Sequence, residues 1–322
     1  MQTNYQKKMK KSIFIVILFL VAMLTKAQES QTAYNFLRLP VSAHVAALGG
    51  NNITITDDDP TMIFHNPAML GGVSDKSLNL NYMTYMEGIM VGSASFVRAW
   101  GDRGTWGVSA SYMDYGSMRQ TTADNIQTGE FSAKDIMLGG SVAYSLSTLF
   151  TGGITAKIIS SSIAGYNSMA VAVDLGINYF DEAQGLSLSA VARNLGGQID
   201  AYDEDFEKIP FDLQVGISKK MAMAPLRFSA TLNNLHDWDD SFIHHLAIGA
   251  DIFLSDNIYI AGGYNFRRNK EMRISDGEGE SSHGAGLSFG GGVQLERFKL
   301  NVAYAKYHVS VSSLLINVSY SL

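Results

Sequence analysis

The chain has 322 residues with 31 glycines, five prolines and no cysteine; 46% is hydrophobic, 17% is charged, and the formal net charge is −6. Lack of cysteine excludes disulfides and is read as excluding a lipid-modified cysteine anchor, and the negative balance disfavours a nucleic-acid partner. A charged fraction well below the usual quarter suits a protein that faces lipid over much of its surface.

Lys7, Lys8, Lys10 and Lys11 precede an apolar run from Ile13 to Leu24, and Thr25-Lys26-Ala27 follows. A basic stretch, a short apolar core and a small residue are the order of a signal peptide. The run of about 12 residues is short of the roughly 20 needed by a spanning helix. Residues 1–27 are therefore expected to be cleaved, with the mature chain starting near Gln28.

Residues 28–76 are unlike anything after them. Pro40, Pro60 and Pro67 fall here, Gly49-Gly50 and Gly71-Gly72 bracket the centre, and Asp57-Asp58-Asp59 sits in the middle. Such spacing breaks both helix and strand. Yet Ile53, Ile55, Met62, Ile63, Phe64, Met69 and Leu70 need burial. A compact, irregular, half-apolar segment is stable only inside something, so a plug (a hatch) is expected. Three adjacent carboxylates repel unless compensated. Either they bind a cation, or Asp59 caps a turn ahead of Pro60 while Asp57 and Asp58 meet water, Arg or Lys. The second reading is preferred.

From Ser77 onward no stretch reads as a helix, and alternation with period two dominates. Leu78, Leu80 and Tyr82 share a face against Asn79, Asn81 and Met83. Met169, Val171, Val173, Leu175 and Ile177 oppose Ala170, Ala172, Asp174, Gly176 and Asn178, and Leu246, Ile248, Ala250 and Ile252 oppose Ala247, Gly249 and Asp251. The pattern predicts about fourteen strands, near 77–87, 89–100, 105–115, 132–147, 149–163, 167–180, 184–194, 209–220, 225–235, 242–254, 257–268, 284–295, 297–307 and 309–322. Connections after even strands are tight, as at Gly101–Gly104 and Glu296-Arg297. Three of the others are long: 116–131, 195–210 and 269–283. Sorting of loop length by parity is expected of an up-and-down outer-membrane barrel with both termini periplasmic. The expected fold is all-β: an antiparallel transmembrane β-barrel of about 14 strands spanning 77–322, with an N-terminal plug, 28–76, in the lumen. Aromatics such as Trp100, Tyr112 and Tyr179 lie toward strand ends, as interface girdles would place them, although β-propensity alone would also put them in strands.

Little of the chain suggests chemistry. Gly286-Leu-Ser-Phe-Gly290 has the G-x-S-x-G pattern, but it lies in an alternating strand rather than on a strand-to-helix turn. His244-His245 is placed on a strand, where adjacent rings point to opposite faces. Asp203–Glu207 and Asp276–Glu280 read as solvated loop charge. No catalytic residue, cofactor or metal site is expected.

The order of signal peptide, plug carrying Asp59-Pro-Thr-Met-Ile-Phe-His-Asn-Pro-Ala68, and about fourteen strands resembles the FadL-type outer-membrane proteins. Within them the chain is similar to the PorV/PorQ family of the type IX secretion system. That likeness rests on Asn35-Phe-Leu-Arg-Leu-Pro40, Ala43, Ala46-Ala-Leu-Gly-Gly50, Asp57, Asp58, Asp59, Pro60, Asn66, Pro67, Ala68 and Arg193-Asn-Leu-Gly196. Length and the 35–40 pattern lean toward the PorQ branch. The resemblance implies a non-catalytic outer-membrane anchor holding a PorZ-like surface protein in the cargo-attachment complex, beside PorU and PorV. The alternatives it implies are a PorV-like shuttle for type IX cargo domains and a FadL-like channel for hydrophobic small molecules. Loop residues Tyr202, Phe206, Ile209 and Ile274 are the expected apolar contacts for a partner.

Overall fold

The computed structural model describes residues 32–322 except 87, 123, 125, 239–240, 273, 276–279, 282–283 and 310. The expected signal peptide, the first four residues of the expected plug, and most of the Asp276–Glu280 charge run lie outside the described residues.

Fourteen antiparallel strands close into one barrel in chain order. They are β1 (Ser77–Met86), β2 (Ile89–Trp100), β3 (Gly104–Thr121), β4 (Gln127–Ser145), β5 (Phe150–Ile163), β6 (Tyr166–Asp181), β7 (Leu186–Asp200), β8 (Asp212–Lys220), β9 (Leu226–Leu232), β10 (Leu246–Ser255), β11 (Ile258–Asn265), β14 (Leu287–Gln294), β15 (Phe298–Ala305) and β16 (Ser313–Ser321). Two-residue strands β12 (Ile274–Ser275) and β13 (Glu280–Ser281) pair only with each other. The barrel closes through β1 and β16, from Ser77 opposite Ser321 to Met83 opposite Leu315.

The alternation decides the facing. Leu78, Leu80, Tyr82, Leu175, Ile177, Ile248 and Ile252 are exposed on the outer surface, while Asn79, Asp174, Asn178, Ala247 and Asp251 are buried inside. A closed sheet leaves no edge, and a one-residue register slip would exchange the two sets.

Several expectations change, among them the loop expected at 195–210, which is shortened to 201–211 because β7 runs on to Asp200. First, 116–131 is not a loop: β3 and β4 run on and pair from Ser117 opposite Ser132 to Thr121 opposite Gln127, past a bulge after Asp114. Polar composition there looked like loop, but a hairpin beyond the membrane needs no apolar face. Second, the segment from Ser77 on is not free of helix. Phe266–Glu271 is a helix capped by Asn265, whose side chain accepts from Arg268 N at 2.9 Å, and Arg267 pairs with Glu271 at 2.6 Å. The cap and the i,i+4 pair are sequence signals that the strand reading overran. Third, His244-His245 lies in a 3₁₀ turn, Phe242–His245, so 233–245 is a long connection rather than strand ends.

All connections after β2, β4, β6, β8, β10 and β14 are tight, and they form one rim. The opposite rim carries 201–211, 233–245 and 266–286. Residues 32–73 fill the barrel between them. Thr32 bridges to Lys208 and Ala33 N donates to Lys208 O at 2.9 Å, which puts the start of the described segment at the long-loop rim. It leaves at the tight-turn rim, where Ser74 N donates to Asp58 and β1 begins. The end of β16 is at the tight-turn rim as expected. The described amino-terminal end is not: it sits at the opposite rim.

Candidate functional site

The plug is built from two cap-and-proline units. Asp59 is extended, accepts from Thr61 N at 2.9 Å, and precedes Pro60 at the first position of a 3₁₀ turn; Asn66 accepts from Ala68 N at 3.0 Å and precedes Pro67 in the same way. A residue before proline is driven to the extended region, and a short oxygen-bearing side chain there caps the turn that proline starts. Asn66 also donates to Ile53 O at 3.0 Å, tying the turn to the neighbouring irregular stretch of the plug.

The wall is carved to receive these turns. A Cβ at Gly176 would lie 2.2 Å from Asn66 Oδ1, and one at Gly153 would lie 2.4 Å from Ala68 N. Across the lumen, a Cβ at Gly263 would lie 2.3 Å from the Leu48 carbonyl carbon. Ser288, the serine of the G-x-S-x-G match, donates to Ala47 O at 3.0 Å and accepts from Gly49 N at 3.1 Å. The strand continues into a turn and β15, so the motif seats the plug and builds no nucleophile elbow.

Charge fastens the tight-turn end. Arg227 on β9 donates twice to Asp57, at 2.8 Å each, and once to Asp251 at 2.7 Å. His44 Nε2 lies 2.7 Å from Asp251, and the His44 ring packs 4.3 Å from that of Tyr259. Lys299 pairs with Asp58 at 2.5 Å. The three consecutive carboxylates thus diverge, with Asp57 on Arg227, Asp58 on Lys299 and Asp59 capping its own turn. Burial alone would raise the Asp57 carboxyl, but the Arg227 guanidinium outweighs it and holds the group at about 2. Burial likewise opposes Asp58, whose bonds from Lys299 and Ser74 bring it below its ordinary value. His65 accepts from Ser42 N at 3.2 Å. Burial, then the charges of Arg193 and Lys157, push it well below an ordinary histidine. A neutral ring is what an acceptor nitrogen requires.

Arg193-Asn-Leu-Gly196 is the third fastening. Arg193 donates to the plug carbonyls of Leu37 and Phe64, at 3.2 Å each. Asn194 takes a left-handed backbone at a bulge in β7, donates its N to Asp174 at 2.7 Å, and accepts from Lys157 at 3.0 Å. A Cβ at Gly196 would strike Val171 O at 2.0 Å. The sequence singled out these four residues but not their division of labour: Arg193 grips the plug, while Asn194 and Gly196 pack within the wall.

Above the plug, at the long-loop mouth, is a polar cleft of ≈ 270 Å³ bordered by Arg38, Arg193, Arg267 and Asp212. A second cleft of ≈ 440 Å³ lies between Tyr34, Tyr115, Tyr202 and Asp135. The four expected partner contacts separate. Phe206 is 66% exposed on loop 201–211, whereas Ile209 is buried against the plug and so presents nothing outward. Tyr202 is half-buried, its ring 6.4 Å from that of Tyr34. The backbone of Ile274 pairs with Ser281 in the β12–β13 ladder. Sequence reading missed Trp238 and Phe242, which are exposed with their rings stacked 6.5 Å apart on loop 233–245. Two aromatics among polar residues were the available signal.

No protein-family profile matches the chain, and no curated protein matches it. Solved structures do. The Pseudomonas putida toluene transporter TodX aligns with TM-score 0.56 and 14% identity over 87% of this chain and 97% of its own. A Pseudomonas aeruginosa FadL homologue gives 0.56 and 11% over 88% and 98%, and the monoaromatic hydrocarbon channel CymD gives 0.56 and 14% over 88% and 98%. At these identities the likeness is one of fold: a closed fourteen-strand barrel of the FadL outer-membrane type.

Proposed function

We propose that the protein is an integral outer-membrane barrel that works as a docking anchor at the cell surface, a PorQ-like member of the type IX secretion machinery that holds a PorZ-like surface protein. Outer-membrane residence is supported by the belt of exposed Leu, Ile, Val and Tyr on the outward face of every long strand and by the sorting of tight turns and long loops to opposite rims. The anchor reading is carried by one observation. The lumen is occupied by a segment keyed into wall glycines and ion-paired to wall arginine and lysine, while the long-loop rim displays Phe206, Trp238 and Phe242 outward. A fastened plug suits a rigid platform, and binding surfaces concentrate on loops held by a rigid scaffold.

The fold comparison itself favours a second reading, FadL-like passage of a hydrophobic small molecule, because the aligned structures are described as a toluene transporter and monoaromatic hydrocarbon channels. Against it stands the lining of the ≈ 270 Å³ cleft, where four arginines, two carboxylates and six asparagines meet and a hydrophobic substrate would require apolar walls; the tyrosine-lined ≈ 440 Å³ cleft does not count against it. The experiment is to replace 201–211 and 233–245 with short Gly-Ser turns. Surface retention of the partner and attachment of cargo are expected to be lost, with normal barrel assembly and unchanged uptake of monoaromatic compounds. Retained attachment together with lost uptake would replace the anchor by the conduit.

A further inference from the structure

The ≈ 270 Å³ cleft at the long-loop mouth reverses the charge balance of the chain. Its charged lining is Arg38, Arg193, Arg267 and Arg268 against Asp212 and Glu271, in a protein whose formal net charge is −6. The two carboxylates are already used. Asp212 accepts from Asn234 N and from Gln214 Nε2, both at 2.6 Å, and Glu271 accepts from Arg267 at 2.6 Å. Arg268 is spent on main-chain carbonyls, with Nε donating to Ala285 O at 2.7 Å and a second nitrogen to Gly286 O at 3.0 Å.

What remains is donors without acceptors. Arg193 is 7% exposed; one terminal nitrogen holds the plug carbonyls, while its Nε has no partner. Asn233 is 2% exposed and its Nδ2 has none either. Both residues border the cleft. A buried donor left unmade costs free energy that an arriving acceptor recovers, most of all a charged one beside a guanidinium. The complementary group is anionic, small, and rich in acceptors. A carboxylate fits, since its two oxygens match a guanidinium edge and an amide together.

We propose that this cleft receives a carboxylate carried by a protein docked on the long-loop rim, an Asp or Glu side chain or a chain terminus. The cleft's volume and its asparagine lining suit the end of a side chain rather than a bulky apolar molecule, and it lies at the rim whose loops 201–211 and 233–245 carry the exposed Phe206, Trp238 and Phe242. The source of the carboxylate rests on the anchor reading; the site rests on the unpartnered donors and does not.

The test uses the full detergent-solubilised barrel and three probes in saturation-transfer NMR: N-acetylglutamate α-amide, its glutamine counterpart, and benzoate. The glutamate probe is expected to bind at least tenfold more tightly than the glutamine probe, which differs only in the carboxylate. Asn233→Ala and Arg267→Gln should each weaken it about tenfold, a typical loss for one charge-assisted bond, while Arg103→Gln at the tight-turn rim leaves it unchanged. Arg193→Lys is a poorer first variant because it also loosens the plug; the other two leave that grip intact. Equal binding of the glutamate and glutamine probes, no binding of either, or indifference to both cleft variants overturns the site. Binding of benzoate alone overturns the protein-borne assignment. Glutamate binding that persists in a barrel whose 201–211 replacement leaves the surface partner attached removes the anchor and keeps the site.

Discussion

Gly176 bears no side chain because Asn66 occupies the space, and Gly153 gives way to Pro67-Ala68 in the same manner. Substituting either should act as overpacking does, costing about 1–3 kcal/mol and more if the plug is expelled. Gly176→Leu is therefore expected to lower the unfolding temperature of the barrel and expose residues 60–72 to protease. Gly140→Leu, where a Cβ meets nothing within 4 Å, should do neither. If both variants melt alike, the notch is not what seats the plug. The Asp57–Arg227 pair supplies a pH dependence. The folded carboxyl sits at about 2 against an ordinary 3.8. A depressed carboxylate contributes stability that is present above 3.8 and is lost as pH falls through about 2. Asp57 keeps 35% of its side-chain surface accessible, so solvent screening reduces the contribution to about 1–2 kcal/mol. Protease sensitivity of the plug should rise between pH 4 and pH 2, and Arg227→Met should flatten that rise; an unchanged slope would mean another group sets it. At this scale the caps were legible in the order Asp-Pro and Asn-Pro, because they act within a few residues. The glycine notches were not, because their meaning lies in a segment about 85–110 residues away along the chain.

Strands were the most legible elements, since a wall with lipid on one side and a filled lumen on the other imposes alternation on every residue. The predicted 89–100 coincides with β2, and the facing assigned to Leu78–Met83 in β1, Met169–Asn178 in β6 and Leu246–Ile252 in β10 holds. Ile248 is 41% exposed on the outward face of β10. Ile248→Arg should cost about 2–4 kcal/mol of barrel stability, measured by urea titration in lipid vesicles; a loss under a few tenths would mean that this face meets water. Element ends were less legible for a stated reason. The β3–β4 hairpin and β7 run past the apolar belt, where pairing is held by backbone bonds and composition carries no signature. The helix at 266–271 was overrun because Phe266 extended the alternation by one step, although Asn265 and the Arg267–Glu271 pair marked a helix.

For the molecule as a whole, the path of the plug is the least expected feature. It enters beside Lys208 at the long-loop rim and leaves at Ser74 beside β1, crossing the full height of the barrel. The chain has no cysteine of its own, so Thr32→Cys, Phe206→Cys, Asp102→Cys and Glu296→Cys each give a single label site. The first two are expected to react with an impermeant maleimide on intact cells, and the last two only after the envelope is opened. Labelling of positions 32 and 206 from opposite sides would contradict the path.

Fold class, strand number, facing and the existence of an internal plug were determined by the sequence itself. Each follows from local rules: period-two burial, proline and glycine as breakers, and an apolar segment that must be covered. Which wall residue meets which plug residue was decided only by closure of the barrel. Arg227 with Asp57, Lys299 with Asp58, and Arg193 with Leu37 and Phe64 join positions more than a hundred residues apart. Such pairs carry no periodicity along the chain. They form only when strand register and barrel closure bring their backbones within reach.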